Sequence, residues 1–312
     1  MNFINYLIKK QKILILFILF FIISSIASPY FLTYENIINL LFQVSIYGII
    51  ACGVTFVTIG GEFDLSVGAM MAMSGVICVQ LTNRFGLWTV IPALVLLPPI
   101  IGWIYGVLVS KLSISSFIVT LGGMFIYRGL AYLFSGSVPI ASQLDNYGIF
   151  GTGKLFTVPY PVILFFIVIL ISEFILAKTK FGRNVFAVGG NLSVAKYTGI
   201  NTSFYKTMTY IICAFTVILA GLLFSSRLNT ANPLDGEDAA MSIYSAVVLG
   251  GTSLSGGEGG AIKTLIGVLL LGLITNALNL LGVFSYYQLT IKGLLLISVI
   301  FVERYYKSRN KT

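Results

Sequence analysis

The 312-residue chain contains no histidine and few charges of either sign. Histidine is the side chain that most often shuttles protons or binds metal ions, so its absence argues against an enzyme and against a proton-coupled carrier. Only three cysteines are present, each inside an apolar run and far from the others, which is typical of small core residues. We therefore expect no metal and no cofactor in this chain.

Charged residues make up 9% of the chain, whereas about a quarter of a soluble domain is charged. Hydrophobic residues make up 57%, and several continuous apolar runs reach the ~18–20 residues that cross a bilayer as a helix. The runs do not alternate, which excludes a membrane barrel. The sequence predicts an all-α, polytopic integral membrane protein that forms a single domain over residues 1–312. About ten transmembrane or half-spanning helices are expected, near 13–33, 36–59, 66–82, 88–110, 113–135, 159–177, 207–226, 241–254, 262–281 and 286–302.

The eighth of these segments, 241–254, is too short to cross a bilayer alone. We expect a half-helix that returns at a glycine-rich break, with a tilted full crossing as the alternative. Most lysines and arginines precede the first segment, follow the last, or lie between the sixth and seventh. The positive-inside rule then places residues 1–12, the loop 178–206 and the tail 303–312 in the cytoplasm. It also accounts for the net charge of +9 without nucleic acid.

Two carboxylates, Glu62 and Asp64, lie between apolar runs in the stretch GGEFDLSVG. Acids at membrane depth are costly and usually functional. We expect Asp64 to cap the helix that starts near Ser66, and Glu62 to face water or to pair with Arg128 or Lys292. Arg128 lies deep in its segment, which favours a buried ion pair, whereas Lys292 lies close enough to the outer interface to snorkel.

A related pattern occurs in the second half of the chain. Ile59-Gly60-Gly61 and Leu249-Gly250-Gly251 each lead through a Leu-Ser pair to an apolar helix. Paired glycine-interrupted segments indicate a transport pathway, although a match this short could also arise by chance. The predicted helix breaks and pathway residues are Gly60, Gly61, Glu62, Asp64, Ser66, Gly68, Gly250, Gly251, Thr252, Ser255 and Gly256.

The two stretches that resemble nucleotide-binding motifs each lack a required residue. GGEGGAIKT resembles a phosphate loop, but Ile262 stands where the glycine before the lysine is needed, and GTGKL lacks the following serine or threonine. Without histidine no histidine-based triad can form. We therefore expect no enzyme and no ATP site in this chain.

Five stretches carry a family resemblance: GGEFDLSVGAMMAMSGV, FIVTLGGMFIYRGLAYLFSG, FGRNVFAVGGNLSVAKYTGI, SAVVLGGTSLSGGEGG and YYQLTIKGLLL. Because these stretches occur in this order, the chain resembles the permease subunits of bacterial sugar ABC importers of the ribose, galactose and xylose type. The resemblance covers residues from about 40 to 303. The resemblance implies a multi-pass protein of the cytoplasmic membrane, with two permease copies forming one pathway. It also implies an extracytoplasmic sugar-binding protein and a cytoplasmic ATPase, usually two fused domains that hold the ATP and magnesium.

The same resemblance assigns the cytoplasmic loop to coupling with the ATPase. Its own pattern agrees, because Asn191 can cap a short helix that Gly199 would end. The coupling residues are expected to be Gly189, Gly190, Asn191, Ala195, Lys196, Gly199 and Ile200.

Ribose or a similar monosaccharide is the expected cargo. Ser242 and Tyr244 depart from the family pattern and leave the sugar open, so a furanosyl signal, a polyol or a nucleoside are alternatives. An ion-coupled secondary transporter, with Glu62 and Asp64 binding the coupling ion, is a rival from another class.

Overall fold

The computed structural model describes residues 12–309, and these residues are mainly helical. Residues 1–11 and 310–312, which hold most of the predicted cytoplasmic N-terminus and the end of the predicted tail, lie outside the described residues. The helices are α1 (Lys12–Ala27), α2 (Tyr34–Ile59), α3 (Val67–Phe85), α4 (Val90–Gly106), α5 (Ser116–Ser135), α6 (Ile149–Thr152), α7 (Tyr160–Lys178), α8 (Lys180–Gly190), α9 (Leu192–Tyr197), α10 (Thr202–Leu228), α11 (Ala239–Leu249), α12 (Ala261–Leu280) and α13 (Ser285–Arg309).

Short 3₁₀ and π turns extend some of these helices. Leu87–Thr89 precedes α4, Val107–Lys111 follows it, and Asp145–Gly148 precedes α6. Helices occupy all ten predicted apolar segments. Six helical stretches of the described chain are long and apolar enough to cross a membrane: α2, Leu87–Lys111, α5, α7, α10 and α12. This confirms a polytopic helical membrane protein, while the number of crossings stays a prediction.

The first helix is shorter than its hydropathy predicts. It ends at Ala27, although the apolar run continues to about residue 33. The reason is Pro29, which lacks a backbone N–H and disfavours helical geometry in the residue before it.

Helix α10 lies at the centre of the molecule and packs against α2, α3 and α4. Small residues allow this close approach. A Cβ on Gly102 of α4 would clash with the Ile211 backbone of α10, and a Cβ on Gly53 of α2 would lie 2.8 Å from the Cα of Cys213. The backbones can therefore approach more closely than larger side chains would permit, and Val217 and Ile218 are fully buried in the resulting core.

Two short antiparallel strand pairs lie at one end of the helical body. Strand β1 (Ile140–Ala141) pairs with β4 (Thr230–Ala231), and β2 (Lys154–Leu155) pairs with β3 (Val158–Pro159). The first pair joins the predicted external loop to the chain that leaves α10. Helices α8 and α9 form the predicted coupling segment, and we use that name for them below. They precede α10 and therefore lie towards the opposite end.

Helix α11 has only 11 residues. At 1.5 Å per residue it spans about 16 Å, roughly half of the ~30 Å hydrocarbon layer of a bilayer. Its C-terminal residue, Leu249, is followed by Gly250 and Gly251, and α12 begins at Ala261. This length fits the predicted half-helix and is too short for a full crossing.

Candidate functional site

The first predicted helix break lies at the end of α2. Gly60 N–H donates to the Phe56 carbonyl and Gly61 N–H to the Thr58 carbonyl, both at 3.0 Å. Gly61 has φ +79°, a left-handed conformation that glycine adopts without steric cost. The chain then runs without helical structure until Val67, where α3 begins.

The second break lies at the end of α11 and repeats this arrangement. Gly250 N–H donates to the Ala246 carbonyl and Gly251 N–H to the Val248 carbonyl, both at 2.8 Å, and Gly251 has φ +91°. The next residue in each break also bonds back five residues, Glu62 to Val57 and Thr252 to Val247. Both helices therefore end in the same backbone conformation, as the sequence repeat predicts.

The two breaks meet the coupling segment at one place. Gly257 N–H donates to the Ile59 carbonyl at 2.9 Å. A Cβ on Gly189 would clash with that same carbonyl oxygen and would lie 2.9 Å from Gly257 N, and a Cβ on Gly256 would lie 2.7 Å from the Gly61 Cα. We call this contact the glycine junction; it consists of Gly60–Gly61, Gly189–Gly190 and Gly256–Gly257. Only residues without side chains allow three backbones to approach so closely.

The coupling segment has the local structure that its sequence predicts. The Asn191 side chain accepts the Val194 N–H at 3.0 Å and so caps α9. At the other end, Gly199 has φ +79°, and Ile200 N–H donates to the Ala195 carbonyl at 3.0 Å. Ala195 is buried, whereas Tyr197 is 91% exposed and free to contact a partner. The predicted coupling residues are thus divided between the glycine junction and a capped, surface-exposed short helix.

Asp64 does not occupy the predicted helix cap. The N-cap of α3 is Ser66, and Asp64 lies two residues earlier. Its carboxylate accepts the Ser66 backbone N–H at 2.9 Å and the Ser66 hydroxyl at 2.5 Å, as in an Asx turn. Tyrosines hold the same short stretch, because the Tyr244 hydroxyl accepts the Asp64 N–H at 2.6 Å and the Tyr105 hydroxyl donates to Ser66 Oγ at 2.9 Å.

The predicted partners of Glu62 were wrong. Its carboxylate forms an ion pair with Lys206 in the first turns of α10, and both side chains are nearly buried. Arg128 instead donates from Nη1 to the carbonyl oxygens of Pro233 and Asp235. These partners differ because Glu62 lies at the coupling-segment end of the helical body, whereas Arg128 contacts the loop between β4 and α11.

Lys292 is also not a simple snorkelling residue. Its Nζ lies 3.2 Å from Asp238 Oδ2, so it forms an ion pair with the N-cap residue of α11. The sequence carried a signal for Lys206, since it is a basic residue in the predicted cytoplasmic loop. It did not indicate which of the available cations would face Glu62.

A polar cavity of about 290 Å³ borders the Glu62–Lys206 pair. It lies between the turn after α4, the start of α5, helix α9 and the start of α10, and Lys196 contributes a second cation to it. Its lining residues are Glu62, Val109, Ser110, Ser113, Ile114, Ser115, Ser116, Leu192, Lys196, Thr202 and Lys206. The cavity can hold water beside the ion pair and links the coupling helix to the first break.

The remaining predicted pathway residues have mainly packing roles. A Cβ on Gly68 would clash with the Gly236 carbonyl, so this glycine lets the loop before α11 pack on α3. Thr252 is buried, and its hydroxyl makes no hydrogen bond within residues 12–309. Ser255 lies in the loop after the second break, and its N–H donates to Ser253 Oγ at 3.3 Å.

The carboxylates of Glu62 and Asp64 do not form an evident cation-binding site. Across residues 12–309, no three His, Cys, Asp or Glu side chains lie together as a metal site would require. Glu62 and Asp64 already have protein partners, Lys206 for one and Ser66 for the other. This arrangement does not favour the ion-coupled alternative.

Comparison with known proteins agrees with this architecture. Residues 36–300 match the family described as the permease component of branched-chain amino acid transport systems. The ribose import permease protein of Haemophilus influenzae is 37% identical over 96% of this chain and 94% of its own length. The ribose import permease protein of Bacillus subtilis is 40% identical over 95% of this chain and 92% of its own length. The L-arabinose transport system permease protein of Escherichia coli is 33% identical over 97% of this chain and 93% of its own length. No solved structure matches the chain. The matched region contains both glycine breaks, the coupling segment and the junction between them, and the chain therefore belongs to this family of transport-system permease components.

Proposed function

We propose that this chain is the membrane-spanning permease subunit of an ATP-driven importer that carries ribose or a closely related monosaccharide. Relatives named for ribose import match nearly the whole chain at 36–40% identity, which supports the choice of cargo. ATP and magnesium are held by a separate cytoplasmic subunit with two fused ATPase domains. An extracytoplasmic binding protein delivers the sugar, and two copies of this chain form the pathway.

The glycine junction is the observation that carries the proposal. One end of α8 contacts both helix breaks, through Ile59 at the first and Gly257 at the second. The other part of the coupling segment, α9, is exposed where a cytoplasmic partner could bind it. A movement imposed on α8–α9 by ATP binding would therefore act on both breaks together, which is a direct physical route for coupling.

The same arrangement supports an orientation in the membrane, which is part of the proposal. The glycine junction, Lys196 and Lys206 lie at the cytoplasmic end, and the strand pairs lie at the external end. Helix α2 runs from the external to the cytoplasmic end, since Tyr34 bonds the Thr157 carbonyl beside β3 and Ile59 lies in the junction. Both termini are cytoplasmic, in keeping with the distribution of basic residues.

The test is purification of the tagged chain from its native membranes in mild detergent, followed by reconstitution into vesicles with ATP inside. We expect an ATPase subunit to co-purify, and labelled ribose to accumulate only when ATP and a ribose-loaded binding protein are both present. Uptake that survives ATP depletion but stops with an ionophore would contradict the proposal and favour an ion-coupled carrier.

A further inference from the structure

A second cavity, of about 240 Å³, lies in the half of the molecule away from the glycine junction. Residues of α2, α10, α11, α12 and α13 line it. Tyr47 contributes from the midpoint of α2, and Ser242 contributes from the first turn of the half-helix α11. The cavity therefore lies at the depth where a discontinuous helix begins, which is where membrane transporters commonly place their substrate. We call it the outer cavity.

The outer cavity contains polar groups that the protein leaves without partners. Ser242 Oγ is buried and makes no hydrogen bond within residues 12–309. Gln43, which is exposed, and Thr275, which is half-buried, also line the cavity, and the described region provides no hydrogen-bond partner for either side chain. Buried polar groups are normally paired, so the unpaired Ser242 hydroxyl favours a solute that supplies the missing hydrogen bond. The side chains of Gln43 and Thr275 are available to bond the same solute.

The charge of the outer cavity indicates a neutral solute. Lys292 is the cationic side chain at its wall, and Asp238 already neutralises it at 3.2 Å. An anionic solute would have to compete with that carboxylate. Hydroxyl and amide groups, in contrast, can each donate and accept a hydrogen bond.

The size and the aromatic walls point to a small polyhydroxylated solute. Sites for drug-sized ligands enclose ~300–1,000 Å³, so a cavity of about 240 Å³ suits a smaller molecule. Tyr47 and Phe224 provide apolar ring surface beside the polar groups. A monosaccharide has both an apolar C–H face and a ring of hydroxyls, and so matches both kinds of wall.

We propose that the outer cavity is a transit site for the monosaccharide, in which Ser242, Gln43 and Thr275 hydrogen-bond the sugar hydroxyls. This inference rests on the proposed import function and adds to it a location and a set of recognition residues. The site accepts the sugar from the external side, and the half-helix α11 connects it to the second glycine break.

The first test removes one hydroxyl. Ser242→Ala deletes an unpaired buried hydroxyl, so we expect the melting temperature of the purified protein to stay the same or rise. ATP-dependent ribose uptake by the reconstituted complex should nevertheless fall about two- to tenfold, the range covered by losing one neutral hydrogen bond. Thr82→Val is the matched control, because Thr82 Oγ1 is also buried and unpaired in the described structure but lies outside this cavity. It should leave both measurements unchanged.

The second test blocks the cavity after the protein has folded. Gln43→Cys places a thiol on the exposed part of the cavity wall, whereas the native cysteines are at most 1% exposed. Because Gln43→Cys also removes the amide of a recognition residue, we expect the untreated variant to transport ribose more slowly than the native protein. A neutral thiol reagent should label the variant and stop its remaining ribose uptake, while the treated native protein continues to transport at its untreated rate.

Two results would overturn the transit site: full ribose uptake by Ser242→Ala, or uptake that continues after complete labelling of Gln43→Cys. Neither result affects the import function itself. That function would fail separately, through an absence of ATP-dependent ribose uptake by the untreated native complex.

Discussion

Three elements that are distant in sequence hold polar groups of the first break. Lys206 of α10 binds Glu62, Tyr244 of α11 binds the Asp64 backbone, and Tyr105 of α4 binds Ser66. Polar groups at membrane depth require partners, since no water is available in the bilayer core to replace them. These bonds therefore keep a non-helical stretch stable between two apolar helices.

Replacing Lys206 with Met should destabilise the protein, because it leaves the Glu62 carboxylate without its cation. The side chains of Lys206 and Glu62 are 13% and 11% exposed, and they lie beside a polar cavity. We therefore expect the free energy of unfolding to fall by about 2–3 kcal/mol, less than the ~3–5 kcal/mol that breaking a fully buried pair costs. The melting temperature of the purified protein measures this. Lys154→Met, in an exposed hairpin, is the control. A double variant, Glu62→Gln with Lys206→Met, should recover part of the loss, and no recovery would contradict the pairing.

Asp64 tests the ion-coupled alternative directly. Asp64→Asn keeps an oxygen that can accept the Ser66 N–H but removes the negative charge, so ATP-dependent uptake should persist. Asp64→Leu removes the acceptor and should cost about 1–3 kcal/mol of stability through the unpaired Ser66 groups. Uptake and melting temperature are measured on both. Loss of uptake in a well-folded Asn variant would favour a role for the charge in ion binding.

At the scale of elements, the ends of two helices and the loop after a third meet at the glycine junction. Helices α2 and α11 end in the same glycine-based conformation, and α8 ends between them. Helix interiors are rigid, whereas glycine-rich ends can adopt more than one backbone conformation. The junction therefore combines close contact with the capacity to rearrange.

Gly189 and Gly190 form a matched pair for testing the junction. A Cβ on Gly189 would clash with the Ile59 carbonyl, but a Cβ on Gly190 would meet its nearest atom, the Gly257 Cα, at 3.8 Å. Gly189→Ala should therefore reduce coupled ribose uptake by tenfold or more, on the order of 1.4 kcal/mol, while Gly190→Ala transports almost normally. Uptake and ATP hydrolysis are measured on the same reconstituted vesicles. Equal uptake by the two variants would exclude the junction as the route of coupling.

At the scale of the whole molecule, the two ends of the helical body differ in chemistry. One end holds the exposed helix α9 with Lys196 and Tyr197, and the other holds the two strand pairs. A central helix, α10, connects them and packs against α2, α3 and α4. A partner that moves one end can thus influence the other through a single packed body.

The orientation can be checked with two cysteine variants in intact cells. Tyr197→Cys lies in the coupling segment and Phe156→Cys in the hairpin at the opposite end, and the native residues are 91% and 94% exposed. A membrane-impermeant maleimide should label only Phe156→Cys from outside, and Tyr197→Cys only after the membrane is opened. The three native cysteines are buried, so labelling of the native protein by the maleimide should be low. Labelling of Tyr197→Cys in intact cells would reverse the proposed orientation.

The sequence alone was sufficient for most features that depend on local physics, although the end of α1 and the cap of α3 were predicted wrongly. Hydropathy located the ten apolar segments, paired glycines located both breaks, and Asn191 with Gly199 delimited the coupling helix. These features depend on residues within a few turns of one another, so composition and periodicity reveal them. Pro29 was the local signal that would have corrected the end of α1.

Only the tertiary structure decided which distant groups meet. Glu62 and Lys206 are 144 residues apart, and the glycine junction unites three segments spread over most of the chain. Several cations were available to Glu62, and helix packing, which places the start of α10 beside the first break, selected one of them. The outer cavity likewise exists only because five helices leave space between them. Sequence patterns record the preference of each segment, whereas partners and cavities follow from the single way in which the segments pack together.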